Sequence, residues 1–147
     1  MEYRNPRDKN GICSKQGATA ETIYSELMED AGFEVVKATI QEQFKGIDFN
    51  IKGSFSVDVK AMKRLNRNEE VQDRYVWLEI KNNSGGNGWL YKESDYIAFE
   101  RENDFVMIRT ETLRQLVTDL VDLEANVYVS KDALYKSYSR QGRKDQL

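Results

Sequence analysis

The sequence predicts an α/β domain built on one mixed β-sheet, and three observations carry that expectation. An apolar stripe at helical spacing comes first, a series of short strand-like runs follows, and a second helical stripe comes after them. At 147 residues the chain has the size of one domain and can bury a real core. Residues 1–147 are therefore expected to form a single domain, with a loose arm over 1–13 and a flexible basic tail over 130–147.

The first helix is read from Ala20, Ile23, Tyr24, Leu27, Met28 and Ala31, and Gly32 sits where a helix end is usually closed. Phe33–Lys37 follows as a short strand. Ile47–Ile51 and Phe55–Lys60 alternate strictly and are joined by Lys52-Gly53-Ser54, which predicts a hairpin. The polar stretch Ala61–Arg74 reads as a loop. Tyr75–Lys81, Trp89–Tyr91, Tyr96–Phe99 and Phe105–Ile108 read as further strands, with a glycine-rich turn over Asn82–Gly88. Thr110 is the expected N-cap of a helix running to about Glu124, with Leu113, Leu116, Val117, Leu120 and Leu123 as its stripe. Asn126–Val129 is a candidate last strand, and Ser130 a candidate cap for a short helix.

Composition narrows the chemistry. The chain has no histidine and a single cysteine, Cys13. That excludes Ser-His-Asp and Cys-His machinery, histidine bases, and zinc sites built on histidine or thiolate. Hydrolysis here must rest on carboxylates, lysines and a hard, oxygen-liking cation. The lone cysteine and the polar N-terminal residues suit a cytoplasmic protein with no signal peptide, and no apolar run is long enough to span a membrane.

The net charge is -3, but it is unevenly spread. Lys60, Lys63, Arg64 and Arg67 form a run without an acid, whereas Glu93–Glu124 holds nine acidic residues against three arginines. Such asymmetry suits one nucleic-acid face and one solvent or partner face; a solvated loop explains the basic run equally well.

The hairpin is the most informative feature. Directly opposed residues of an antiparallel pair share a side of the sheet, so the two apolar sets must match. A turn over 52–54 pairs Ile51 with Phe55 and Phe49 with Val57, and it sets Asp48 opposite Asp58. Two carboxylates opposed at roughly 5 Å repel each other unless a divalent cation lies between them. Lys60, two residues beyond Asp58, projects from the same side of the strand. Mg²⁺ on the carboxylates and an ammonium beside them would stabilise charge developing on phosphoryl oxygens.

Gly46-Ile-Asp48, nine residues, then Asp58-Val-Lys60 resembles the PD-(D/E)XK nuclease superfamily. Lys15-Gln-Gly-Ala-Thr-Ala-Glu21, a helix, then Gly32-Phe-Glu-Val-Val-Lys37 is similar to the start of archaeal-type Holliday-junction resolvases. The resemblance spans roughly residues 15–62. It implies a restriction-endonuclease-like core and a metal site of Asp48, Asp58, the Val59 carbonyl and Glu21, with Mg²⁺ or Mn²⁺ as cofactor. Lys60 would then act on the attacking water or the transition state. Ile47 stands where the family usually has proline, and Asp58 where resolvases mostly have glutamate.

These readings predict a Mg²⁺-dependent endonuclease acting on duplex or branched DNA, working as a homodimer without a nucleotide cofactor. Small and histidine-free, it resembles what a phage encodes. A Holliday-junction resolvase, a site-specific homing or nicking endonuclease, and a catalytically silent nucleic-acid-binding module are the alternatives. Lys15, Lys63, Arg64 and Arg67 are candidate DNA contacts, with Lys37 and the tail residues Arg140, Arg143 and Lys144 beside them. Glu79-Ile-Lys81 is a rival acidic–lysine pair, Glu26 and Glu29 are fallbacks for Glu21, and Trp89 and Tyr91 are candidates for base stacking or for the core.

Overall fold

A computed structural model of the chain describes residues 12–123, apart from 83 and 85, and the backbone of Val129–Ser130. The arm before residue 12, residues 124–128 and the tail beyond 130 lie outside the described residues, and with them the Ser130 helix. The chain divides into two compact units. One holds the residues up to Trp77 together with Glu93–Ile108; the other holds Leu78–Lys92 and the residues from Arg109 on.

In the first unit, helix α1 (Ile12–Asp30) leads into β1 (Val35–Lys37), the short helix α2 (Ile40–Phe44), β2 (Phe49–Ile51) and β3 (Phe55–Lys60). β4 (Tyr96–Glu100) and β5 (Phe105–Arg109) complete a five-stranded sheet in the order β1-β2-β3-β4-β5. β2 runs antiparallel to both of its neighbours, β1 and β3, and β4 lies parallel to β3. The sheet is therefore mixed, as expected. The hairpin register is the expected one, with Phe49 opposite Val57 and Ile51 opposite Phe55. Gly53, at φ 71°, supplies the left-handed conformation that the turn requires.

α1 packs on one face of this sheet. Ala20 and Tyr24 join Phe49, Ile51, Val57, Val59, Ala61 and Ala98 in a single buried cluster. The Tyr24 ring meets Phe105 edge-on at 5.3 Å, and its hydroxyl donates to Met107 Sδ at 3.4 Å. Burial pushes the Tyr24 phenol up to about 12. The helix begins at Ile12, well before the apolar stripe. The Thr19 and Thr22 hydroxyls bond to carbonyls four residues back, so threonines off the stripe ride within the helix rather than breaking it.

α1 ends as expected at Gly32, φ 91°, where Gly32 N–H and Phe33 N–H donate to the Glu29 and Met28 carbonyls. α2 was not foreseen, although its signal is present. Thr39 and Glu42 form a reciprocal capping box. Those hydrogen bonds, the Thr39 backbone donor first, hold the Glu42 carboxyl below its ordinary value.

In the second unit, the 3₁₀ turn Trp89–Tyr91 precedes α3 (Thr110–Leu120), and β6 (Val121–Asp122) pairs antiparallel with β7 (Val129–Ser130). Three expectations are corrected here. Trp89–Tyr91 is not a strand; the Arg114 guanidinium binds the Leu90 and Lys92 carbonyls that a ladder would have used. Thr110 is the first helical residue rather than the N-cap, and its hydroxyl is buried without a hydrogen-bond partner. α3 stops at Leu120 because the next two residues pair with β7, the described end of the candidate strand 126–129.

Tyr75–Lys81, which crosses from one unit to the other, forms no strand. Its alternating pattern finds no partner strand, and only Lys81 makes an isolated bridge, to Asn87. Gly88 is packed so closely that a Cβ there would stand 2.1 Å from the Glu79 carbonyl oxygen.

Candidate metal centre

The chain reaches Asp48 through a tightly specified turn. Gly46, at φ 78°, closes α2, with Gly46 N–H bonded to the Gln43 carbonyl and Ile47 N–H to that of Glu42. Asp48 is then pinned on both sides. Its N–H donates to the Val57 carbonyl at 2.8 Å, and its own carbonyl accepts Ala38 N–H at 2.9 Å. Its side chain turns along the sheet, where Oδ2 accepts Val59 N–H at 2.7 Å.

Asp58 lies in the middle of β3, flanked by β2 and β4, and only 3% of it is exposed. Alternation puts Val57 and Val59 on the α1 face, so Asp58 and Lys60 project from the other face, beside Ile97 and Phe99 of β4. A carboxylate among apolar neighbours is costly. Lys60 offsets part of that cost, its Nζ 2.7 Å from Asp58 Oδ1 and its side chain 25% exposed. The other oxygen, Oδ2, is buried and has no hydrogen-bond donor. Burial pushes the Asp58 carboxyl up to about 7; the Lys60 ammonium opposes the rise and the neighbouring Asp48 carboxylate adds to it.

Asp48, Asp58 and Lys60 are therefore brought together, with the Val59 N–H bonded to the Asp48 carboxylate. An orphaned, buried carboxylate oxygen beside a second carboxylate fits a hard divalent cation such as Mg²⁺ or Mn²⁺. Among the described residues no three acidic, histidine or cysteine side chains gather to hold a metal. A cation here would take the two aspartates and complete its shell with backbone oxygen or water.

Glu21 is placed differently. Its carboxylate pairs with Lys37 Nζ, and that ammonium also stands 4.6 Å from the centre of the Phe49 ring. Lys37 is opposite Phe49, and Phe49 opposite Val57, so the Glu21–Lys37 pair belongs to the α1 face. Lys15 is exposed on α1, and Lys63, Arg64 and Arg67 are exposed in the loop that leaves β3. In the second unit, Glu79 Oε2 accepts Trp89 N–H at 3.1 Å, which gives this carboxylate a structural task. Leu90 is buried there and Tyr91 partly buried, and the Arg114 guanidinium lies 5.8 Å from the Tyr91 ring, which suits packing rather than base stacking.

The burial of Asp58 is not legible in the sequence, where Phe55–Lys60 reads only as one arm of a hairpin. The parallel neighbour β4, thirty-five residues further on, encloses it. Comparison with protein-family models, curated proteins and solved structures finds no match to this chain.

Proposed function

We propose that the chain is a metal-dependent endodeoxyribonuclease with a restriction-endonuclease-like core, hydrolysing phosphodiester bonds by direct attack of water. The observation that carries this reading is the Asp48–Asp58–Lys60 cluster, in which one carboxylate oxygen is buried without a donor. An ordinary ion pair explains it poorly, because burial makes the charged form of Asp58 costly and pushes its carboxyl up to about 7, a cost that a cation shared with Asp48 would offset. The mixed sheet, with Asp58 on β3 and Asp48 just before the adjacent β2, is compatible with the PD-(D/E)XK arrangement.

In this reading Asp48 and Asp58 hold Mg²⁺ or Mn²⁺, and Val59 contributes its carbonyl. A cation bound there supplies a nucleophilic water at neutral pH and offsets charge on the phosphoryl oxygens. The Val59 amide fixes the Asp48 carboxylate, so the pair is preorganised before substrate arrives. Asp58 holds Lys60, which faces the phosphate and orients the water. A dimer would present two such sites to two strands, as a resolvase or a double-strand endonuclease needs.

The second reading, a nucleic-acid-binding module that keeps the fold without cutting, is favoured by the engagement of Glu21 with Lys37. Incubating supercoiled plasmid, linear duplex and a four-way junction with Mg²⁺, Mn²⁺ or EDTA separates the two. Metal-dependent cutting lost in both Asp58→Ala and Lys60→Ala is the expected result. Cutting that survives both and disappears with Glu79→Ala would move the site. DNA binding without any cutting would favour the silent module.

A further inference from the structure

The loop Ala61–Trp77 leaves β3 directly after Lys60, and its end carries three consecutive exposed apolar residues. Tyr75 is 61% exposed and Trp77 49%, with Val76 half-exposed between them. Side by side, the three form a contiguous patch rather than scattered single residues, and it is such patches that mark interaction surfaces. The same loop carries Lys63, Arg64, Arg67 and Arg74, all exposed, and none forms an ion pair with a described residue. Aromatic rings among unengaged cations are the two components of a surface for unpaired nucleic acid: bases stack on the rings while cations track the phosphates.

The loop is also held in place. Gln72 N–H and Nε2 both donate to the Lys63 carbonyl, at 3.1 and 3.0 Å, which closes the loop at its base. Its Oε1 accepts Tyr75 N–H at 2.8 Å, and Nε2 donates to the Tyr75 carbonyl at 3.0 Å, so the Tyr75 backbone is clamped on both sides while its ring stays free of the clamp. Asp73 Oδ2 accepts Glu102 N–H at 3.2 Å, just past the end of β4. β4 is parallel to β3 and pairs Phe99 with Lys60. Glu102 lies two residues past the end of β4, so this anchor sits at the end of the sheet where Lys60 leaves β3. Met62 N–H, bound to Glu100 Oε2 at 3.1 Å, ties the outgoing chain to the same end of the sheet.

We propose that Tyr75 and Trp77 form a stacking platform for unpaired DNA bases, with Lys63, Arg64, Arg67 and Arg74 holding the adjoining phosphates. Given the nuclease reading, on which its role in catalysis rests, the preferred substrate presents unpaired bases a few nucleotides from the cleaved bond, as branched, flapped or single-stranded DNA does. Continuous duplex offers no ring face to the platform.

Binding is measured in EDTA, so that the result does not depend on cleavage. A fluorescein-labelled oligo-dT of about 12 nucleotides and a duplex of equal length are titrated with wild type, Tyr75→Ala, Trp77→Ala and Tyr75→Phe, reading anisotropy. The single strand is expected to bind at least tenfold more tightly than the duplex. Each alanine variant should lose roughly five- to hundredfold in single-strand affinity, and Tyr75→Phe should restore most of it. Removal of the Tyr75 ring leaves its backbone clamp intact, and circular dichroism verifies the fold. In a Trp89→Phe background, quenching of Trp77 emission by oligo-dT reports stacking directly. Equal affinity for both DNAs, or alanine variants that bind like wild type, would overturn the platform. Metal-dependent plasmid cutting without a single-strand preference would leave the nuclease reading standing and remove only this proposal; stacking without any cutting would keep the platform and remove the nuclease.

Discussion

Lys60 Nζ lies 2.7 Å from Asp58 Oδ1, an ion pair within one strand whose acid is buried and whose base reaches solvent. That asymmetry governs the site. The ammonium is a quarter exposed, whereas the carboxylate stays enclosed with one oxygen unsatisfied.

Asp58 makes stability pH-dependent. Its carboxyl ionises near 3.8 in the unfolded chain and near 7 in the fold. In that window the folded state holds a proton that the unfolded chain releases, so the contribution of this group is full below pH 4 and is lost as pH rises to about 7. The full loss is at most about 4 kcal/mol. Asp58→Asn should raise the melting temperature at pH 8 in EDTA and change it little at pH 4. Thermal denaturation at the two values checks this.

A cation on Asp58 requires its ionised form. Binding of Mn²⁺ should tighten as pH rises through about 7 and release close to one proton at pH 6. Calorimetric titration in two buffers of different ionisation enthalpy counts that proton. The cleavage rate should follow the same rise.

Loss of Lys60 leaves the Asp58 charge without its partner. Lys60→Met should cost about 1–3 kcal/mol at pH 8 and markedly less at pH 5, where Asp58 is protonated. Urea denaturation at both values tests the difference. A cost independent of pH would mean that Lys60 acts through packing alone.

Glu21 is paired with Lys37 on the α1 face. Glu21→Gln is expected to change stability by under about 1 kcal/mol, as half-exposed pairs do. It should slow cleavage less than tenfold, against more than a thousandfold for Asp58→Asn. Single-turnover rates of the two variants give the comparison.

Much of the first unit was legible because short-range rules govern it. Parity of the two apolar sets determines the hairpin register, Phe49 opposite Val57 and Ile51 opposite Phe55, although the ladder stops there and Asp48 lies just before β2 rather than in a pair with Asp58. Gly32 closes α1 where a glycine was expected. What escaped depends on distant partners. β4 buries Asp58, and nothing near residue 58 announces it. Tyr75–Lys81 alternates like a strand, yet the structure gives it no neighbour to pair with. Glu21 sits in a helix as predicted, but its partner Lys37 arrives through the β1–β2 pairing. The Thr39–Glu42 box that starts α2 is also a short-range signal, carried by residues three apart.

The most direct test of the central claim is the rate of plasmid cleavage by Asp58→Asn, measured beside wild type at saturating Mg²⁺ and pH 8. The variant should be folded, more stable than wild type in EDTA, and slower in cutting by more than a thousandfold. A variant that is equally stable and cuts at the wild-type rate would show that the buried carboxylate holds no catalytic metal.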